Sequence, residues 1–434
     1  MKFYRSWLLY LFFAICLVFP TAATAGTSGE STESGGSSDY SELLVLLRDF
    51  TAWKDPVGDQ GRQITRDEAG REIEPVPDFS ESAIEVRRRQ IREFQHRLES
   101  LDVSGWEVPE KVDYLAVRSR LDQQDFMLER FRPWSRDPGF YVDRMLRVTF
   151  TELPVAGAEK EALLAALRAI PVLVESAPLW LDDVAADYAS LAIHNLTQAD
   201  GVGHGYPYRS TPPAGVLGWY EDLLERAKIQ PELKPDIEAA QSSVRVFHAW
   251  LLENRSRWTA AAGVGKPAFD WYLTYVKLMP WTVDELVVLG QRELDRLWAD
   301  YALERQRNRD LPELVPAQNA VDYQARIDAT DAHIRAFLSE QNIITVPADI
   351  GPLDTNVPWI VRPGGRNFWE EIQFRDPHPD HLHAVIPGHR FDAVMAGRVE
   401  HPLRRHIQSD SRIEGWATYL EEAMLQAGMF ADLP

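Results

Sequence analysis

The chain holds a single cysteine, Cys16, among 434 residues. One thiol excludes an internal disulfide and a metal site built on several thiolates. Basic charge is also short: 46 Lys and Arg stand against 66 Asp and Glu, a formal net charge of −20. Nucleic acid and anionic lipid headgroups both call for a basic patch, so neither is expected as a partner. Past the first 25 residues, no stretch approaches the roughly 18 uninterrupted apolar residues of a spanning helix. The G-x-G-x-x-G, P-loop and G-x-S-x-G signatures are absent, which removes the dinucleotide, nucleotide and nucleophile-elbow readings. There is no internal repeat.

What is present is the composition of a protein with a substantial core, 45% hydrophobic and 11% aromatic. Residues 1–25 read as a signal peptide: Lys2 and Arg5, an apolar stretch from Trp7 to Val18, then Ala23-Thr24-Ala25 as a cleavage site. The mature chain is then exported, periplasmic or secreted, and begins near Gly26. A lipoprotein anchored through Cys16 is the alternative. Residues 26–39 are Gly/Ser-rich and expected to be a disordered tether. From 40 to 434 a single large, mainly α domain is expected.

Its helices announce themselves by spacing. Ser82-x-x-Glu85 reads as a capping box before Ile84, Ile91, Phe94, Leu98 and Leu101, and a further helix is expected over about 110–130. Pro171 and Pro178 are expected to start or kink helices within 157–193. Thr282-x-x-Glu285 reads as a second box, with Leu286, Leu289, Leu294, Leu297 and Tyr301 on one face. Arg87-Arg88-Arg89 reads as a solvated face, and the pairs Trp219/Tyr220 and Trp271/Tyr272 as core. Only 342–375 differs: NIITVPADI, VPWIV and NFWEEIQF predict two or three short strands, a small β element just before the next stretch.

That stretch is DPHPDHLHAVIPGHRFD, followed after a spacer by SRIEGWATYLEEAML. His378, His381, His383, His389 and His401 fall close together, with His406 behind them. Imidazoles on one element and a carboxylate on the next are what a catalytic zinc site needs. His383 and His389 are six residues apart, so on an ideal helix their rings would point about 240° apart. Pro387 and Gly388 between them permit a distorted turn that converges the rings. Spacing alone leaves this open against ordinary surface histidines. Glu414 and Glu421 share one face of the following helix at i, i+7. They read as an anionic third ligand with a carboxylate orienting an imidazole, or else as a solvated acidic face.

The two blocks resemble the signature of the bacterial domain of unknown function 885 family, gluzincin-like zinc metallopeptidases that are often exported. That family reads H-E-A-x-P-G-H-H-x-Q and then E-G-W-A-x-Y-x-E. Here the counterparts are His383 to Asp392 and Glu414 to Glu421. Asp113-Tyr114-Leu115-Ala116 and Thr282-x-x-Glu285-Leu286 resemble upstream pieces. The resemblance implies a zincin-type helical fold, zinc on His383, His389 and Glu414, and a peptide or other small amide or ester substrate. Tyr419 would donate to a developing oxyanion. Three departures stand against it. The glutamate that serves as general base is Ala384; the H-x-Q ending is Arg390-Phe391-Asp392, leaving Asp392 as a displaced base or extra ligand; and the family pattern continues past Pro434. A degenerate, non-catalytic binding scaffold is the alternative reading.

Overall fold

The computed structural model describes residues 38–54, 65–67, 69–198, 209–355, 357–407 and 409–431. The signal peptide, Cys16, nearly all of the tether, His204 and the side chain of His406 lie outside them. The protein is 68% helical, which bears out the mainly α expectation. Contacts divide the chain into two compact units, Ser37–Pro280 and the stretch from Trp281 onward.

The first unit holds α1 (Tyr40–Lys54), a two-stranded antiparallel ladder of β1 (Thr65–Arg66) and β2 (Glu72–Ile73), α2 (Glu81–Glu99), α3 (Val108–Phe126) and α4 (Gly139–Arg147). It continues with α5 (Gly157–Trp180), α6 (Ala186–Thr197), α7 (Gly215–Arg226), α8 (Lys234–Asn254) and α9 (Lys266–Trp271). Its core is aromatic: Tyr141, Trp219, Tyr220 and Phe247 are fully buried. The polar tips are satisfied where burial would otherwise cost most. The Tyr220 hydroxyl donates to the Met145 carbonyl at 3.0 Å and the Tyr141 hydroxyl to the Trp134 carbonyl at 2.5 Å.

Two expectations here need correction. The cap of α2 is Ser80, whose hydroxyl accepts from the Ala83 amide, and not Ser82. Helix α5 runs on through both Pro171 and Pro178, so neither proline starts a helix. Each interior proline removes a backbone bond and costs about 3 kcal/mol. Nine buried residues of this apolar helix, from Leu163 to Ala177, offset that cost. The Arg87–Arg89 run is also less solvated than its charge suggests: Arg87 lies over the Phe79 ring, and Arg88 donates to the Leu128 carbonyl.

The second unit holds α10 (Val283–Arg307), α11 (Ala320–Glu340), α12 (Phe368–Gln373), α13 (His389–Gly397) and α14 (Asp410–Gln426). The Thr282/Glu285 capping box is present, with Thr282 N donating to Glu285 Oε2 at 2.7 Å. Yet none of the 25 residues of α10 is buried. The core lies instead where α11, α13 and α14 meet, with Ile334, Leu338, Leu382, Ile386, Phe391 and Leu420 in one cluster.

Among the described residues of 342–375 there is no strand, so the β element expected there is not found. Ile344 and Val346 pack singly, from irregular backbone, against that same cluster. NFWEEIQF is α12, because Asn367 caps it: the Glu370 amide donates to Asn367 Oδ1 at 2.8 Å, and Asn367 N returns a bond to Glu370 Oε2 at 2.9 Å. A reciprocal cap fixes the first helical turn, and β propensity, which reflects packing context, yields to it.

Candidate metal centre

The histidine stretch opens with a short helical turn, His378–Asp380, and continues as a single π turn, His381–Val385, closed by Ile386 N donating to the His381 carbonyl at 2.9 Å. The chain then extends through Ile386, passes a cis Pro387, and starts α13 at His389. Gly388 makes the reversal possible. A Cβ there would fall 1.8 Å from the His383 carbonyl oxygen, so the backbone folds onto itself more closely than any side chain allows. Trp416 of α14 pins the turn by donating from Nε1 to the Pro387 carbonyl at 2.9 Å. The consequence is the convergence that an ideal helix forbids. The His383 and His389 rings stand perpendicular, 4.7 Å apart, with their Nε2 atoms 3.1 Å from each other.

Glu414 completes a triangle. One of its carboxylate oxygens lies 3.6 Å from His389 Nε2 and 3.9 Å from His383 Nε2. Ligands bound to zinc at 2.0–2.1 Å in tetrahedral geometry sit about 3.3 Å from one another. The separations of 3.1, 3.6 and 3.9 Å bracket that value, so two imidazoles and a carboxylate fit the ion with small adjustments. Glu421, two turns along α14, accepts from His383 Nδ1 at 2.5 Å. That bond fixes the tautomer and leaves the Nε2 lone pair facing the other two donors.

The two imidazoles differ electrostatically. The Glu421 hydrogen bond raises His383 above the ordinary histidine value, against the pull of burial. Burial first, and the neighbouring His383 second, lower His389. His389 Nδ1 is buried without a hydrogen-bond partner among the described residues. One ring is held from behind and the other is not.

The remaining candidates fall elsewhere. Ala384 is buried, its methyl group standing where the resemblance expects a carboxylate. Both oxygens of Asp392 accept from the Arg412 guanidinium, at 2.9 and 2.6 Å, and Asp392 is not among the clustered ligand atoms. Tyr419 is more than half exposed and lies beside Trp416, with ring centroids 6.5 Å apart.

The histidine run, which looks like one cluster in sequence, is three. His401 Nδ1 accepts from the amides of Leu403 and Arg404 at 3.3 Å, in the manner of a local cap. His378 and His381 turn toward α11. His381 Nε2 donates to Asp331 Oδ1 at 3.1 Å, while Arg335 holds the other oxygen at 2.6 Å. His378 Nδ1 donates to Asp376 Oδ1 at 2.6 Å, and its Nε2 meets His333 Nδ1 at 3.0 Å. Burial pushes Asp376 and Asp331 up, but the hydrogen bonds they accept outweigh it and hold both below the usual carboxylate value. The sequence reading missed Asp331, His333 and Asp376. The Asp-x-His spacing of 376 and 378 was a usable signal. His333, some forty residues upstream on another helix, offered none.

Comparison with known proteins agrees with the fold. The chain is similar to a solved structure described as "a putative lipoprotein of unknown function from Shewanella oneidensis", at 16% identity and a TM-score of 0.61. The likeness covers 90% of this chain and 78% of that one, and at this identity it concerns the fold alone. No curated protein matches. A family profile matches residues 65–348, a span that ends before His383. By that match the chain belongs to the family of bacterial proteins of unknown function designated DUF885.

Proposed function

We propose that the protein is an exported, zinc-binding member of this family with the site of a metallopeptidase. The observation that carries the reading is the convergence of three ligand atoms, from His383, His389 and Glu414, within 4.8 Å of one another. Two imidazoles and one carboxylate, with no thiolate, are the donor set of a hydrolytic zinc site. Zinc held there would act as a Lewis acid on an amide or ester carbonyl and make a nearby water more acidic. The chain's own part is to present two neutral imidazoles and one negative charge. Glu421 serves that end by accepting a hydrogen bond from the Nδ1–H of His383, which holds the proton there and leaves Nε2 with its lone pair. Export agrees with the signal-like first 25 residues, and the fold neighbour's description as a lipoprotein supports anchoring through Cys16.

A second reading is favoured by a specific observation. The usual base position is a buried methyl group, and the candidate replacement, Asp392, is engaged on both oxygens by Arg412. A zinc-holding scaffold without turnover fits those two facts. The experiment is zinc content of the exported chain beside His389→Ala and Glu414→Ala, with turnover of a peptide mixture measured with and without chelator. Zinc lost in both variants and turnover lost with chelator support the hydrolase. Zinc without turnover leaves the scaffold, and no zinc in the wild-type chain overturns both. If the scaffold reading holds, Ala384→Glu is expected to raise peptide turnover by about 10²-fold or more, the usual contribution of a positioned general base.

A further inference from the structure

We propose that His333 and His378 form a second binding site for a borderline divalent transition ion, separate from the site of His383, His389 and Glu414. The pair repeats the wiring of the first. In each, one imidazole has a carboxylate on its Nδ1 and aims its Nε2 at a nitrogen of the other ring. For His378 the carboxylate is Asp376, at 2.6 Å, and the facing atom is His333 Nδ1, at 3.0 Å. The rings stand at 77° with centroids 5.2 Å apart, so the two lone-pair directions cross rather than stack. Two nitrogens bound to one tetrahedral ion lie about 3.3 Å apart. The pair needs to open by only a few tenths of an ångström.

The site is built, not incidental. The His378 side chain is 12% exposed, and its backbone amide and ring both bond to Asp376, so the ring has little freedom. Thr330 Oγ1 lies 3.5 Å from its Nδ1, and the Phe430 ring packs against it with centroids 6.0 Å apart. His333 is carried by α11, whose Ile334 and Leu338 are fully buried in the unit's core. Both imidazoles are thus presented by elements that packing already fixes, which is what a preorganised ligand pair requires.

Without an ion, the pair is satisfied by one hydrogen bond, from His333 Nδ1–H to the Nε2 lone pair of His378. Ion binding replaces that shared proton. His333 moves its proton to its own Nε2, both facing nitrogens become donors to the ion, and no redox partner is needed. Imidazole nitrogens suit zinc, nickel and copper, whereas magnesium and calcium prefer oxygen, so the ion is of the former class. Two protein ligands leave the remaining positions to water. The site should therefore fill after the three-ligand one.

The test is native mass spectrometry of the full chain titrated with zinc alone, beside His333→Gln, His378→Gln and His389→Ala. Two ions per wild-type chain are expected. The weaker is lost in His333→Gln and in His378→Gln, and the tighter in His389→Ala. Asp376→Asn keeps both imidazoles and is expected to weaken the second ion by about 10- to 100-fold. Should a histidine variant fail to fold, the wild-type chain gives a second readout. The ¹H–¹⁵N imidazole signals of His333 and His378 should move at the second equivalent. An ion count that is the same in the wild type and in both glutamine variants overturns the proposal, as do unmoved imidazole signals. Loss of an ion in His333→Gln with none lost in His389→Ala would overturn the hydrolytic site and leave this one standing.

Discussion

The two histidine pairs of the second unit differ in how they are made and in what closes them. His383 and His389 are neighbours in sequence, forced together by a backbone reversal that only Gly388 tolerates. His333 and His378 are distant in sequence, and the packing of α11 against the π turn and α14 brings them together. The first pair has Glu414 as a third ligand atom, and the second has none among the described residues. Wiring alike and ligand count unlike, the pairs separate two properties usually found together: orientation of the imidazole from behind, and completion of the coordination shell in front.

The largest expected effect comes from breaking the first pair at its turn. Gly388→Ala would set a methyl group against the His383 carbonyl. Relieving that overlap should cost roughly 3 kcal/mol of stability and abolish the tighter ion while sparing the weaker. Urea unfolding and ion counting on the same variant check both halves. A smaller effect removes only the orienting carboxylate. Glu421→Gln should lower affinity at the first site by about 10- to 100-fold, read by competition with a chromogenic chelator.

The asymmetry within the first pair can be sharpened by pH in metal-free protein. The folded value of His383 is raised by Glu421, so the stability it contributes is fully present below the unfolded value of about 6.5. It is lost as pH rises through the raised folded value. His389 has the opposite sign: its folded value is lowered by burial, so stability is present above about 6.5 and lost as pH falls toward the lowered value. Imidazole NMR should find His383 titrating above His389 in the wild type, with the gap narrowed in Glu421→Gln. The smallest effect is expected from Trp416→Phe, which removes one donor from the Pro387 carbonyl and should cost about 1 kcal/mol in urea unfolding.

Much of this was legible in the sequence where the signal is local. The Thr282 box, the helical periodicities and the i, i+7 placement of Glu414 and Glu421 depend on residues within two turns of each other, and they stand as read. The β-like runs of 342–375 misled because branched and aromatic residues can pack one at a time from irregular backbone, and because Asn367 and Glu370 lock a helix start over NFWEEIQF. Pro171 and Pro178 start no helix for the opposite reason: burial along α5 outweighs two lost backbone bonds. Asp392 could be placed near His389 by number. That Arg412 occupies it could not, since the guanidinium arrives from another helix. The division of five histidines into three environments depends on which way each ring turns, and for His381 and His383 that is set by the π turn. Residue spacing does not carry that information.

Helix α10 owes little to tertiary burial. Its order must come from length, from the Thr282 cap, and from same-helix pairs such as Arg296 with Asp300 and Gln291 with Asp295. Arg296 also reaches Glu422 of α14 at 2.8 Å, a tie at mid-helix. Amide hydrogen exchange should therefore be graded along α10. Its ends would open at free energies far below that of global unfolding, while α11, anchored by Ile334 and Leu338, keeps its protons to the last.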